Sequence, residues 1–384
     1  MLGAVLANAL SSLGNLVITV AVARSVDAAT FGWYALALVF VALSVGVLRS
    51  AILESVLARP AGQQMMFGHI VELLVPSAVL CLVSAALGII IGRTEFLMVG
   101  LGLPGLSVFD YLRNALIVNR RSVFALAMEG AWTAATVAGI VLFEISVCKV
   151  SVAFGIWCLA PTAIAWVAWT RLGRPKIATG TDRAFSPLFA LDYLVGAGSS
   201  QLATAVLGAT VVGAIRAGAT LFGPVNLITN AIRPILIARI AAGEASVVRS
   251  LRMASSMAAV TAVIACVALI IPDGVGVQLL GASWDAAASV RLPLALEAIL
   301  GFFAGVAFAG QRALAPAAQI LATRGILGVV RVGLVLVGVA TFGLLGAAWA
   351  LPLVTGLGCG VWWFGYWRAD RSARRSTSER CVGG

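Results

Sequence analysis

Charge is scarce in this chain: Asp, Glu, Lys and Arg make up only 11% of its 384 residues, too few to cover a water-soluble protein of that length. With 61% hydrophobic residues and a mean hydropathy of +1.06, its solvent is a bilayer. Acids number 15 against 26 Lys and Arg, and the single histidine, His69, reads as an interfacial residue rather than a catalyst. Cys81, Cys148, Cys158, Cys266, Cys359 and Cys381 show no CxxC or Cys/His spacing, and most lie inside apolar runs. Neither a metal site, a disulfide framework nor a cofactor is expected. No HExxH, GxSxG or Walker sequence occurs, so covalent catalysis is not expected and ATP-driven work would need a partner. Gly100-Leu101-Gly102-Leu103-Pro104-Gly105 fits GxGxxG, but it lies in an apolar run with no preceding strand and reads as a flexible or kinked helix. The net charge of +11 sits in short connectors rather than on a basic patch interleaved with aromatics, which argues against nucleic acid as a partner.

What the chain does have is apolar runs of membrane-spanning length, about 20 residues each. They fall near 2 to 22, 32 to 53, 70 to 92, 96 to 118, 123 to 144 and 150 to 170, then near 191 to 213, 219 to 240, 252 to 271, 291 to 311, 325 to 343 and 345 to 367. Ala21-Val22-Ala23 imitates a signal-peptidase site, but no basic segment precedes it and Asn8 and Asn15 interrupt the run, so an uncleaved first span is expected. Laid out this way, roughly 17 Lys and Arg fall on one side of the membrane and about 5 (Arg24, Arg93, Lys149, Arg216, Arg291) on the other. By the bias of short loops the richer side is cytoplasmic, and an even count of spans puts both termini there. The expected architecture is an all-α integral membrane protein: an N-terminal six-helix lobe over 1–170, a cytoplasmic linker over 171–190, a second six-helix lobe over 191–367 and a basic tail over 368–384. Two such lobes would be parallel repeats about an axis along the membrane normal.

Polar side chains within the spans mark candidate function. Asn8, Ser11, Ser12, Asn15 and Thr19 step at three to four residues along the first span and share one helical face. Asp192, Ser199, Ser200 and Thr204, with Gln201 beside them, repeat the theme on the seventh. Each stripe alone serves as interhelical hydrogen-bond glue; two stripes at matching positions point to a shared aqueous cavity. Asp110 and Arg113 are three apart on the fourth span, with Glu129 on the fifth as another partner, an arrangement of an ion pair or a coupling site. Glu297 and Arg331 pair by depth. Arg49, Arg216 and Arg233 have no acid within one helical turn, which makes them candidates either for snorkelling to the interface or for gripping phosphate or carboxylate oxygens.

Several stretches resemble the polysaccharide-biosynthesis, Wzx-like flippase branch of the multidrug/oligosaccharidyl-lipid/polysaccharide (MOP) exporter superfamily. Arg24 to Leu36 is similar to that family's loop into its second span. Asp110-Tyr111-Leu112-Arg113, Asn119-Arg120-Arg121, Glu129-Gly130-Ala131-Trp132, Leu221-Phe222-Gly223-Pro224 and Leu279-Leu280-Gly281-Ala282-Ser283-Trp284 are similar to other parts of it. The chain is compact for the family, and the full cationic set of lipid II flippases has no match. The resemblance implies twelve helices around a cavity, alternating access, residence in the cytoplasmic membrane and a polyprenyl-pyrophosphate-linked glycan as cargo. Membrane lipids and glycan-synthesis proteins are the implied partners of what is expected to be a monomer. Three alternatives stand beside it: a cation-coupled exporter of small amphipathic compounds using Asp110, Glu129 or Asp192, a multi-span glycan polymerase or ligase, and a scaffold of an export assembly.

Overall fold

The computed structural model describes residues 2–57, 69–146, 148–172, 185–223, 225, 240 and 246–382. All regular elements among them are helical, and nine segments are long and apolar enough to cross a membrane. The chain is a multi-pass membrane protein. Large apolar side chains lie bare on its surface at these depths, such as Ile90 at 80% and Val123 at 77% exposure, as lipid-facing residues must.

Cα packing divides the chain into two compact units, one of Met1–Gly213 with Val277–Ser283 and one of Ala214–Gly276 with Trp284–Gly384. The first is built on α1 (Leu2–Ser25), α2 (Ala28–Leu48), α3 (Ile70–Ile91), α4 (Thr94–Val118), α5 (Ser122–Glu144) and α6 (Val150–Arg171). Asp27 starts α2 by accepting the N–H groups of Ala29 and Thr30, both at 3.0 Å, and the Thr30 hydroxyl at 2.7 Å. Gly92 ends α3 in the left-handed region (φ 72°), where a side chain would be strained. α1 packs on α5 and α4 on α2, α3 and α6. Gly3 meets Ser122, so α1 and α5 begin on the same face, while Arg93 stacks 4.9 Å over Trp33 on the opposite one.

The GxGxxG stretch is a helix-packing surface within α4. Cβ atoms at Gly102 or Gly105 would overlap Cys158 or Thr162 of α6, so the glycines exist to let the two backbones approach. Beside this contact, Phe109, Trp132, Phe154 and Trp157 lock α4, α5 and α6 through ring centroids 5.2–5.7 Å apart, and Trp132 donates to the Trp157 carbonyl at 2.9 Å.

After Leu48 the second span widens into a π-helix, Arg49–Glu54. The Ala51 carbonyl accepts the Ser186 N–H at 2.8 Å, which docks the entry of α7 (Pro187–Val195) on this irregular turn. The continuous span expected near 191 to 213 is instead broken into α7, α8 (Ala197–Ala205) and α9 (Ala209–Thr220). Gly196 (φ −88°, ψ −103°) and Gly208 stand at the breaks, where neither offers a side chain to hold a helix on course. Tyr193 donates to the Ala42 carbonyl at 3.2 Å, so α7 belongs to the first compact unit, which continues to Gly213; most of the expected linker over 171–190 lies outside the described residues. Most of the expected span 219 to 240 lies outside the described residues.

The second unit contains α10 (Val247–Leu269), the start of α11 (Asp273–Leu280), α12 (Arg291–Leu314) and α13 (Ala317–Val382). Its core joins Ala254, Phe302, Val306 and Tyr366, with Ser250 Oγ and Tyr366 OH 3.0 Å apart. Arg291 donates to the Leu269 and Ile271 carbonyls at 3.3 and 3.1 Å, satisfying the end of α10 with a cation where the helix dipole favours one. α13 is two arms, not one rod. Gly338 and Gly346 lie so close that a Cβ on either would overlap the other, whereas eight residues of straight helix would separate them by about 12 Å. The reversal is at Gly343 (φ 59°, ψ −137°), between the two spans expected to meet there.

Candidate functional site

Four charged side chains converge in the first unit. Arg113, near the end of α4, directs Nη2 to Asp110 Oδ1 at 2.7 Å and Nη1 to Glu129 Oε1 of α5 at 2.8 Å. Nη1 also donates to Ser11 of α1 at 3.3 Å. Asp110 is one helical turn from Arg113, and Glu129 lies two turns into α5, so both acids face the same guanidinium from adjacent helices. Glu129 is fully buried and the Arg113 side chain is 11% exposed. An unpaired charge at this depth costs several kcal/mol, and the mutual pairing is what makes the group tolerable.

Arg49 joins the group from the π-helix. Its Nη1 is 3.8 Å from Asp110 Oδ1, an oxygen Arg113 already holds more closely, and its side chain is 36% exposed. Arg49 has no acid within one turn of its own helix, but helix packing brings Asp110 of α4 against it, a contact that sequence distance hid. With two arginines and two carboxylates the cluster is electrically balanced. Asp110 Oδ2, Glu129 Oε2 and Arg113 Nε are buried without hydrogen-bond partners among the described residues, so polar capacity remains.

The second unit repeats this chemistry on a smaller scale. Arg331 pairs with Glu297 at 3.5 Å, as their depths suggested, and donates to Thr355 at 2.8 Å. Thr355 was not singled out from sequence, although it is the one hydroxyl in Leu351-Pro352-Leu353-Val354-Thr355-Gly356-Leu357. Arg216, on α9, is mostly buried and has neither ion pair nor side-chain hydrogen bond among the described residues. Arg233 lies outside the described residues.

The stripe on α1 divides. Ser11 serves Arg113, and Thr19, 4% exposed, donates back to the Asn15 carbonyl at 2.6 Å. The side chains of Asn8, Ser12 and Asn15 are half-buried and form no hydrogen bond among the described residues. On α8, Ser199 turns to the Gly196 carbonyl at 2.6 Å, as bundle glue would. Asp192 and Gln201 are half-buried and engaged, while the side chains of Ser200 and Thr204 lie outside the described residues. Among the described residues no group of three His, Cys, Asp or Glu is placed to hold a metal ion.

These elements define an all-helical membrane protein, and its fold is like that of solved MurJ and MATE structures. Its solved likenesses are transporters. A structure described as lipid II flippase MurJ in an inward closed conformation aligns with a TM-score of 0.71 at 12% identity, over 93% of this chain and 86% of that one. A multidrug resistance MATE family transporter of the MOP superfamily, inward-facing, aligns at 0.64 and 14% identity over 95% and 96% of the two chains. A MOP superfamily transporter from Pyrococcus furiosus, whose binding pocket is described as reversed in polarity, aligns at 0.61 and 13% over 96% and 94%. No protein-family model matches the sequence, and no curated protein matches it significantly.

Proposed function

We propose that this chain is a flippase-type transporter of the Wzx-like kind. It moves the hydrophilic head of a polyprenyl-pyrophosphate-linked saccharide across the cytoplasmic membrane by alternating access, with both termini cytoplasmic. The observation that carries this reading is the likeness in fold to a lipid II flippase over nearly the whole chain. A pyrophosphate-sugar head cannot cross hydrocarbon unaided, because each unpaired charge or hydroxyl costs several kcal/mol there. Arg216 is the cation best suited to meet it, since no partner among the described residues claims its guanidinium. Arg49 and Arg233 are the proposed companions, and Asn8, Ser12 and Asn15 supply amide and hydroxyl groups along the path. An exporter coupled to a cation bound by Asp110 or Glu129 fits less well, because an arginine already occupies each of those carboxylates.

The test is a proteoliposome assay in which a lipid-linked oligosaccharide becomes accessible to an impermeant lectin. Losing one charge-assisted hydrogen bond corresponds to about a 10- to 150-fold loss. Arg216→Ala should therefore slow delivery by at least tenfold while the protein still inserts and runs as a monodisperse species. Wild-type delivery by Arg216→Ala and Arg233→Ala alike would remove the anion-clamp reading.

A further inference from the structure

We infer that a trough between α5 and α6 seats one acyl chain of an anionic phospholipid, with the lipid phosphate held by Arg121 and Arg171. This inference stands apart from the transport reading. The trough has a volume of about 310 Å³ and runs between Phe124, Met128 and Ala131 on α5 and Ile164, Val167 and Ala168 on α6; every residue lining it is apolar. Met128 (4% exposed) and Ala168 (2%) form its floor, while Val167 (55%) and Ala131 stand open at the rim, so it opens to the surface at membrane depth.

Its dimensions fit one leaflet. From Phe124 to Ala131 the helical rise gives about 10 Å, within the roughly 15 Å that half a hydrocarbon core provides. A phospholipid acyl chain fills one leaflet and would lie in the trough for most of its length; a long prenyl chain would overrun the leaflet itself. The mouth is cationic. Arg121 caps the start of α5 three residues before Phe124, and Arg171 ends α6 three residues after Ala168, so each guanidinium stem starts one helical turn from the lining. Both side chains are exposed and neither has an ion pair or a side-chain hydrogen bond among the described residues. The start of α5 adds the positive end of its helix dipole, which favours an anion at the same place. Trp166, 67% exposed and one residue before Val167, supplies an amphipathic ring of the kind that settles at headgroup level. A zwitterionic headgroup would place a cation beside these arginines, and a lipid of net negative charge would not.

The experiment is native mass spectrometry of the full-length protein in detergent, equilibrated with phosphatidylglycerol, with phosphatidylcholine of the same chains, or with a polyprenyl phosphate. Near an anionic surface each Arg contributes about a fivefold attraction, so phosphatidylglycerol should be retained about 25-fold better than phosphatidylcholine. The exposed pair Arg121→Gln with Arg171→Gln should abolish that preference at unchanged melting temperature. Ala127→Leu with Ala131→Leu, which fills the trough, should lower phosphatidylglycerol retention with both arginines intact. Equal retention of the two phospholipids, or undiminished retention in the arginine pair, would overturn the assignment. Displacement of phosphatidylglycerol by the polyprenyl phosphate would overturn it too, by giving the trough to a prenyl chain.

Discussion

Replacing Arg113 with Ala removes the one group that both buried carboxylates share. Its nitrogens lie 2.7 Å from Asp110 and 2.8 Å from Glu129, and the two acids are not left in equal positions. Asp110 keeps Arg49 at 3.8 Å; Glu129, fully buried, keeps no cation. Breaking a buried ion pair by removing one partner costs about 3–5 kcal/mol, a large share of the roughly 5–15 kcal/mol that stabilises a typical fold. Arg113→Ala should therefore be destabilised by about 3–5 kcal/mol in reversible unfolding from mixed micelles. Most of that loss should trace to the stranded Glu129 carboxylate. Removing it as well, in Arg113→Met with Glu129→Leu, should bring stability back to within about 1 kcal/mol of the wild type, because apolar replacement of a whole buried pair is often neutral. The cycle of Arg113→Met, Glu129→Leu and the two together isolates the pair. A cost below about 1 kcal/mol for Arg113→Ala, or a double variant no more stable than the single, would refute the claim that Arg113 holds these helices together electrostatically.

Gly343→Ala should cost about 1–3 kcal/mol in the same unfolding assay, because φ 59° with ψ −137° is a region that residues with a side chain rarely enter; a stabilised variant would show that the hairpin turns elsewhere. Asp27→Ala should weaken the start of α2 by about 0.5–1 kcal/mol, read as faster amide exchange at Ala29 and Thr30. The Thr30 hydroxyl, followed by the Thr30 N–H, holds the Asp27 carboxyl below its usual 3.8, so the cap contributes fully above that value and fades as pH falls through the lower folded-state value; wild type and variant should converge in acid.

Much of the fold was legible because hydrocarbon leaves a chain few choices. Helices α1 to α6 fall where the apolar runs predicted them, and the reversal at Gly343 falls where two runs met. Arg113 with Asp110 and Glu129, and Arg331 with Glu297, were legible for a related reason: a charge within a span needs a partner at its own depth, and few residues qualify. The π-helix at Arg49–Glu54 was not legible, since hydropathy does not register which carbonyl a backbone N–H selects. The break of the seventh span was equally hidden, because Gly196 and Gly208 are common in spans and only packing decides whether they interrupt one. Arg49 beside Asp110 was hidden as well, since a residue on the irregular turn met an acid 61 positions later.

The cationic residues differ in what they can offer an anion. Arg113 is committed: two short contacts to buried acids fix it, and freeing it would expose those acids to each other. Arg331 is similarly held between Glu297 and Thr355. Arg49 is exchangeable, because a 3.8 Å contact at 36% exposure is worth at most about 1 kcal/mol, well within what a phosphate oxygen could replace. Arg216 has no side-chain partner to exchange among the described residues. A carrier must bind its cargo and then let it go, so a few kcal/mol per contact serves it better than a rigid cage. One guanidinium facing a phosphate at about 4 Å supplies roughly 4 kcal/mol in surroundings of intermediate dielectric, before desolvation is subtracted. In the proposed mechanism the balanced clusters therefore hold the helices in register, and the weakly held arginines are the ones proposed to follow the head group across.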